Sequence, residues 1–299
     1  MKYGPLKIFM SALVAAAISF SAHAAEVALV LSEQDEDSSA ISSAFSSEYP
    51  GEAKVINLEG SDDRQRTVGQ ELAASPPSAV IVCGNMAAQM AEWHLAEVPV
   101  AFCDSPKALK LKVSGRAPGV YHEPSPSEQL RALNKALPDD RKVAMLYGDG
   151  VARVDPDEIK GLGAELGITV VPVPIGSVKE VPAKLASVLP SVDALWILTD
   201  PEVLSSHSTQ YIVLQSISSR VPVFCGDETL ARGGATAALV PDMESVGELL
   251  AGQAEKAVSG GGASVVFPRG RIIINTKTAA IVGVTFPTDV VSKASEVIQ

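Results

Sequence analysis

The 299-residue chain is poor in the residue types from which reactive or cross-linked sites are built. Three cysteines and four histidines supply neither a disulfide-dense scaffold nor a zinc framework. Aromatic residues make up 5% of the chain, too few for an extended surface that stacks bases or sugars. Basic residues are also short. The 24 Lys and Arg stand against 35 Asp and Glu, and a net charge of −11 repels phosphate backbones and excludes a general nucleic-acid binder. The G-x-S-x-G, H-E-x-x-H and G-x-x-x-x-G-K-[ST] signatures are all missing. His94, His122 and His207 are scattered, and Asp35-Glu36-Asp37 reads as the solvated start of a helix. Neither an enzyme nor a metal or organic cofactor is expected.

What is present begins with an address. Lys2 and Lys7 precede an apolar stretch from Ile8 to Phe20, which ends at Ala22-His23-Ala24, an A-x-A cleavage pattern. Residues 1–24 are expected to be a signal peptide cut after Ala24, with export to the periplasm. Losing the two lysines would take the net charge from −11 to −13. No second run of about 18 apolar residues follows, so no membrane span is expected in the mature protein.

With 46% hydrophobic residues the remainder can bury a core, and its length suits two domains. Short apolar runs recur: Val27 to Ser32, Ala53 to Leu58, Ala79 to Cys83 and Val98 to Cys103, then Lys142 to Tyr147, Ile168 to Val173, Val192 to Leu198 and Val221 to Cys225. Nearly continuous apolar runs of this length suit parallel strands buried on both faces. Helical patterns lie between them, one capped at Asp62 and one opened by Asp155-Pro156. The fold class is therefore α/β, with two similar doubly wound lobes. Lobe 1 is expected over 25–138 plus about 233–261, and lobe 2 over 139–232 plus about 262–299. Candidate crossings between them are Pro138 to Arg141, Leu230 to Gly234 and Gly260 to Ala263.

In open α/β sheets ligands bind beyond the carboxyl ends of the strands. The residues there are mostly small or hydrogen-bonding: Ser32, Gln34, Gly84, Asn85, Asp104, Ser105, Tyr147, Gly148, Thr199, Asp200 and Asp227. Glycine lets a backbone approach a ligand, hydroxyls and amides can hold a carboxylate, and aspartate can pair with an amine. Asn85, Ser105 and Asp200 also suit plain N-capping, so both roles stay open for them. Trp196, Phe102 and Phe224 lie within strands and are expected in the core. Cys83 and Cys103 close neighbouring strands about 4.8 Å apart, within disulfide reach given the right register. The alternative is buried thiols, with Cys225 alone in the other half.

The end of the chain carries a family resemblance. Asn275-Thr276-Lys277-Thr278-Ala279, followed by Gly283 and Pro287, is similar to the N-x-K-T-A-x-x-x-G-x-x-x-P close of ABC-transporter substrate-binding proteins of the tryptophan/tyrosine-binding type. Val192-Asp193-Ala194-Leu195-Trp196 with Asp200, Val221-Pro222-Val223-Phe224 and Gly234-Ala235 fall where that family has similar stretches. The resemblance implies a type I periplasmic-binding fold, two lobes joined by a three-crossing hinge, and a cleft that closes on a small solute, an amino acid or a related compound. It also implies an inner-membrane ABC permease as partner, and a monomer is expected. A departure stands at Gly84-Asn85, where relatives often have Gly-Thr, so ligand identity does not carry over. A ligand-sensing or auxiliary carrier module with no permease is the alternative.

Overall fold

A computed structural model describes residues 26–103, 117–121, 123–137, 141–149 and 154–299. The chain opens as strand and helix in alternation: β1 (Val27–Leu31), α1 (Glu36–Glu48), β2 (Ala53–Asn57), α2 (Asp62–Ala74), β3 (Ala79–Cys83), α3 (Asn85–His94), β4 (Val100–Cys103) and β5 (Gly119–Val120). The succession then repeats. After α4 (Pro126–Ala136) come β6 (Arg141–Gly148), α5 (Pro156–Glu165), β7 (Ile168–Ile175), α6 (Val181–Val188), β8 (Ala194–Ile197), α7 (Ser206–Ser219) and β9 (Val223–Cys225). The chain finishes with α8 (Glu228–Arg232), β10 (Ala237–Pro241), α9 (Met243–Val258), β11 (Val265–Val266), β12 (Gly270–Asn275), α10 (Thr276–Val282), α11 (Thr288–Lys293) and β13 (Glu296–Ile298).

Two sheets result. The first runs β11-β5-β4-β3-β1-β2 and the second β13-β12-β10-β9-β8-β6-β7. All strands of the first pair in parallel. In the second the one antiparallel pairing is β12 against β10, and β13 runs alongside β12 in the same reversed direction. In each sheet the strands of the repeat lie in the doubly wound order 2-1-3-4, and the order reverses between β1 and β3 and between β6 and β8.

Burial on both faces explains the sequence pattern. Every residue of β1 and β3 is buried. Leu29, Leu31, Ile81 and Cys83 pack towards α1 and α9, while Ala28, Val30, Val80 and Val82 pack towards α2 and α3. In the second sheet Leu146 and Ile197 meet Leu185 and Ile212 on one side, and Met145 and Trp196 meet Leu130, Leu133 and Ile159 on the other. Trp196, Phe102 and Phe224 are core residues, as expected.

The crossings fall elsewhere than expected. α4 already packs on the second sheet through Leu130 and Leu133, so the first crossing comes between β5 and α4 rather than at Pro138 to Arg141, of which 138–140 lie outside the described residues. The segment after α8 stays with the second sheet, because β10 pairs with β9, and the chain leaves it at 241–243 rather than at Leu230 to Gly234. Gly260 adopts φ +69 just past the end of α9, and β11 then pairs with β5, so Gly260 to Ala263 is a turn within the first lobe. The third crossing is at 266–270. Residues 125–137 and 233–241 therefore belong with the second sheet, and 265–266 with the first. The α2 cap is also corrected: Ser61, not Asp62, accepts the Arg64 N–H at 3.3 Å.

α9 supports the first lobe by lying closely along α1. A Cβ at Gly247 would run into the Ile41 carbonyl and stand 2.7 Å from the Ala44 Cβ, and both neighbours belong to the rigid α1. Gly252, in the same helix, faces open space. Gly247→Ala is expected to destabilise the protein by about 1–3 kcal/mol through overpacking. Gly252→Ala is expected to stabilise it by up to about 1 kcal/mol through helix propensity. Urea denaturation of the two variants measures both signs.

Candidate functional site

All three crossings join the sheets at their carboxyl edges. β5 and β11 end at 120 and 266, β10 ends at Pro241, and β12 begins at Gly270 as the register partner of Pro241. The crossings are tied to one another. The Tyr121 N–H donates to the Val266 carbonyl at 2.8 Å, and the Tyr121 and Phe267 rings stack at 4.3 Å. The Asp242 N–H donates to the Arg269 carbonyl at 2.9 Å, and the Arg269 guanidinium reaches Glu248 of α9 at 2.9 Å. The strand tips of the two sheets thus form two walls beside one hinge.

The first wall is centred where β1 and β3 part. Ser32 Oγ donates to the Cys83 carbonyl at 2.7 Å and accepts the Ala87 N–H at 3.0 Å. One hydroxyl from β1 therefore caps α3 across the sheet. The α3 cap residue itself is Gly84, at φ +83, and a Cβ there would stand 2.7 Å from Ser32 Oγ. This corrects the capping expectation for Asn85, which is the first helical residue, exposed at the helix N-terminus. Gln34 is exposed one residue before Asp35, which caps α1 by accepting the Ser38 N–H at 2.7 Å. Asp104 and Ser105 lie outside the described residues.

The second wall repeats the arrangement where β6 and β8 part. Asp200 is 1% exposed, and its Oδ2 accepts the Gly148 N–H at 2.7 Å. A Cβ at Gly148 would stand 2.9 Å from Glu202 Oε2 and 3.1 Å from the Asp200 Cβ, so a side chain there would press on both residues. The Thr199 N–H donates to Glu123 Oε2 at 3.2 Å. At the next tip Asp227 caps α8, accepting the Leu230 N–H at 2.6 Å. Tyr147 packs on the side of the sheet that carries α5. Burial raises its phenol pKa first, with Asp149 adding to the shift.

The structure thus brings Ser32, Gly84 and Asn85 to one switch point, and Gly148, Thr199 and Asp200 to the other, with Asp227 alongside. It leaves Gln34 at an exposed tip and turns Tyr147 towards α5. Sequence reasoning passed over Glu123 and Gln129. Glu123 is wholly buried in the first crossing, and Gln129 links the Pro124 carbonyl to Trp196 Nε1. The available signal was the Ser125-Pro126-Ser127-Glu128 helix start just after Glu123. No group of three or more His, Cys, Asp or Glu able to hold a metal occurs among the described residues. A cavity of about 540 Å³ opens at the amino ends of the second-sheet strands, among Leu137, Arg141, Asp193, Gln215 and Arg220. α7 and α10 both end there, and helix C-termini present carbonyls that already suit the arginines.

Comparison with known proteins agrees with this architecture. A family model described as ABC transporter substrate binding protein matches residues 51–298. A Streptococcus pneumonia ABC domain in complex with L-Trp is 21% identical, with a TM-score of 0.59, covering 92% of this chain and 100% of that one. A ligand-free, open substrate-binding protein with adhesive properties from Clostridium difficile is 17% identical, with a TM-score of 0.65, covering 92% and 99%. A conserved domain protein from Vibrio cholerae is 17% identical, with a TM-score of 0.59, covering 92% and 99%. No curated protein matches the chain.

The cysteines at the strand tips are thiols, not a disulfide. Cys83 and Cys103 are register partners on β3 and β4, both buried, and Cys225 is likewise a buried thiol. Burial pushes the Cys225 thiol far above its ordinary value of 9.0, against the opposing hydrogen bond to the Asp227 carbonyl. A raised folded-state value means that the unfolded chain loses this proton first. Its contribution is full below about pH 9 and declines as the pH rises further. Under reducing conditions the wild type is expected to lose up to about 1.4 kcal/mol of stability per pH unit above pH 9 through this group. Cys225→Ala is expected to flatten that slope in urea melts run from pH 8 to 10.5.

Proposed function

The chain belongs to the ABC transporter substrate-binding protein family, and from that premise we propose that it is the exported solute receptor of an importer. It captures a small solute between the two walls of strand tips by closure about the three crossings, and it presents the closed form to an inner-membrane permease. It works as a periplasmic monomer and performs no catalysis. One observation carries the reading. Both topological switch points open at the same hinge, and each ends in hydrogen-bonding groups held rigidly by the other strand: Ser32 with Gly84, and Asp200 with Gly148.

The chemistry of the walls narrows the solute. The first wall offers neutral partners, namely the Asn85 and Gln34 amides and the first turn of α3, where helix N–H groups favour an anionic or carbonyl oxygen. The second wall offers the carboxylates of Asp200 and Asp227, which favour an amine. A compact amino acid or a related compound meets both requirements. The L-Trp held by the Streptococcus pneumonia structure supports this class without fixing the side chain.

Thermal-shift measurement against amino acids, nucleosides, sugars and short peptides tests the reading. A solute at 100 times its Kd stabilises the native state by about 2.7 kcal/mol, which raises Tm by several degrees. Asp200→Asn keeps an oxygen for the Gly148 N–H and is expected to weaken binding of the solute so identified by about tenfold or more, with the fold intact. Asp200→Ala leaves that buried N–H without its acceptor and is expected also to cost about 1–3 kcal/mol of stability. Wild-type affinity in Asp200→Asn would take this residue out of the site.

A further inference from the structure

Glu123 stands apart from the other carboxylates of the molecule. It is 0% exposed, it belongs to a hinge crossing rather than to a strand or helix, and it reaches the tips of two strands of the second sheet. Its Oε2 accepts the Thr199 N–H at 3.2 Å, just beyond β8. A Cβ on Gly226, just beyond β9, would stand 2.5 Å from the same oxygen, so the carboxylate lies directly against that backbone. Thr199 precedes Asp200 and Gly226 precedes Asp227, the two acidic residues of the second wall.

A second buried side chain fixes the approach. Gln129 of α4 is 0% exposed; its Nε2 donates to the Pro124 carbonyl at 2.9 Å and its Oε1 accepts Trp196 Nε1 at 3.0 Å. The residue after Glu123 is thereby anchored to the middle of β8. Taking a carboxylate out of water is costly unless directed partners meet it, and a packed apolar side chain would fill the same space at less cost. What a carboxylate adds over an apolar plug is direction: it holds one particular backbone N–H.

We infer that Glu123 is a positioning residue for the solute cleft, pinning the first hinge crossing to the loops that carry Asp200 and Asp227. Rotation at 121–125 is then transmitted to both loops together, and the second wall moves as a unit. The inference rests on the reading of the cleft as the solute site, yet its test uses no solute, so either can fail without the other.

The test compares the full chain with its Glu123→Gln and Glu123→Ala variants in two measurements. The first is amide hydrogen exchange. In Glu123→Ala the Thr199 amide is expected to exchange about tenfold faster or more, together with residues 226–230. The Leu195 amide, which donates to the Pro222 carbonyl in the body of the sheet, is expected to stay within about twofold of wild type. Glu123→Gln retains an oxygen for Thr199 and should restore most of the protection. The second measurement is the distance distribution between spin labels at Ser47→Cys on α1 and Ser187→Cys on α6, with the native thiols buried. It is expected to broaden in Glu123→Ala and to keep its wild-type width in Glu123→Gln. If the alanine variant does not fold, Glu123→Asp draws the oxygen back by one methylene and gives the same Thr199-against-Leu195 contrast. Unchanged exchange at Thr199, equal acceleration at Thr199 and Leu195, or a wild-type distance distribution in Glu123→Ala would overturn the inference.

Discussion

A parallel sheet covered on both faces has nowhere to place polar chemistry except at its ends, and this constraint organises the whole molecule. β1 and β3 are buried at every position, so neither of their faces can carry a site. Hydrogen-bonding capacity collects where strands stop and helices start. The doubly wound order opens a gap there, because the helices flanking the switch strands leave to opposite sides. The chain does this twice, and a short side-chain bond crosses each gap: Ser32 Oγ to the Cys83 carbonyl in one sheet and the Gly148 N–H to Asp200 in the other.

In the proposed function the hinge turns two such gaps into one cleft. Every crossing leaves or enters at a carboxyl edge, so both sets of tips stand beside the same hinge. The Tyr121–Phe267 stack and the Arg269 contacts bind the crossings to each other. The β12–β13 edge of the second sheet is held separately. Arg232 bridges Glu228 and Glu296, and Arg271 also pairs with Glu228, which fastens β13 to α8 and β12. These partly exposed pairs add registry more than stability.

Much of this could be read from the residues, for a physical reason. Strands buried on both faces leave uninterrupted apolar runs such as Val-Ala-Leu-Val-Leu and Ala-Val-Ile-Val-Cys, and the helix between Asn275 and Gly283 announces both of its ends. The crossings could not be read. Nothing local to Ala237–Pro241 says which sheet it joins, since an apolar strand serves either, and pairing with β9 is a long-range outcome. The Gly260-Gly261-Gly262 run has the composition of a linker, yet Gly260 ends a helix in the left-handed region. At the site, the strand-end residues were visible as types but not as partners. Ser32 caps a helix begun by Gly84, a task that local pattern assigns to Asn85. Glu123, between a histidine and a proline, has the look of a solvated loop residue, and only the packing of α4 under β8 encloses it.

The claim on which the account turns is that solute binds between the two sets of strand tips. Hydrogen–deuterium exchange mapped over the whole chain, with and without a solute that stabilises the protein, addresses it most directly. The account predicts new protection at 32–34, 84–87, 199–204 and 226–230, with the three crossings slowed as the lobes close. Protection confined to the opposite pole, around 186–193 and 215–222, with the strand tips unchanged, would contradict it.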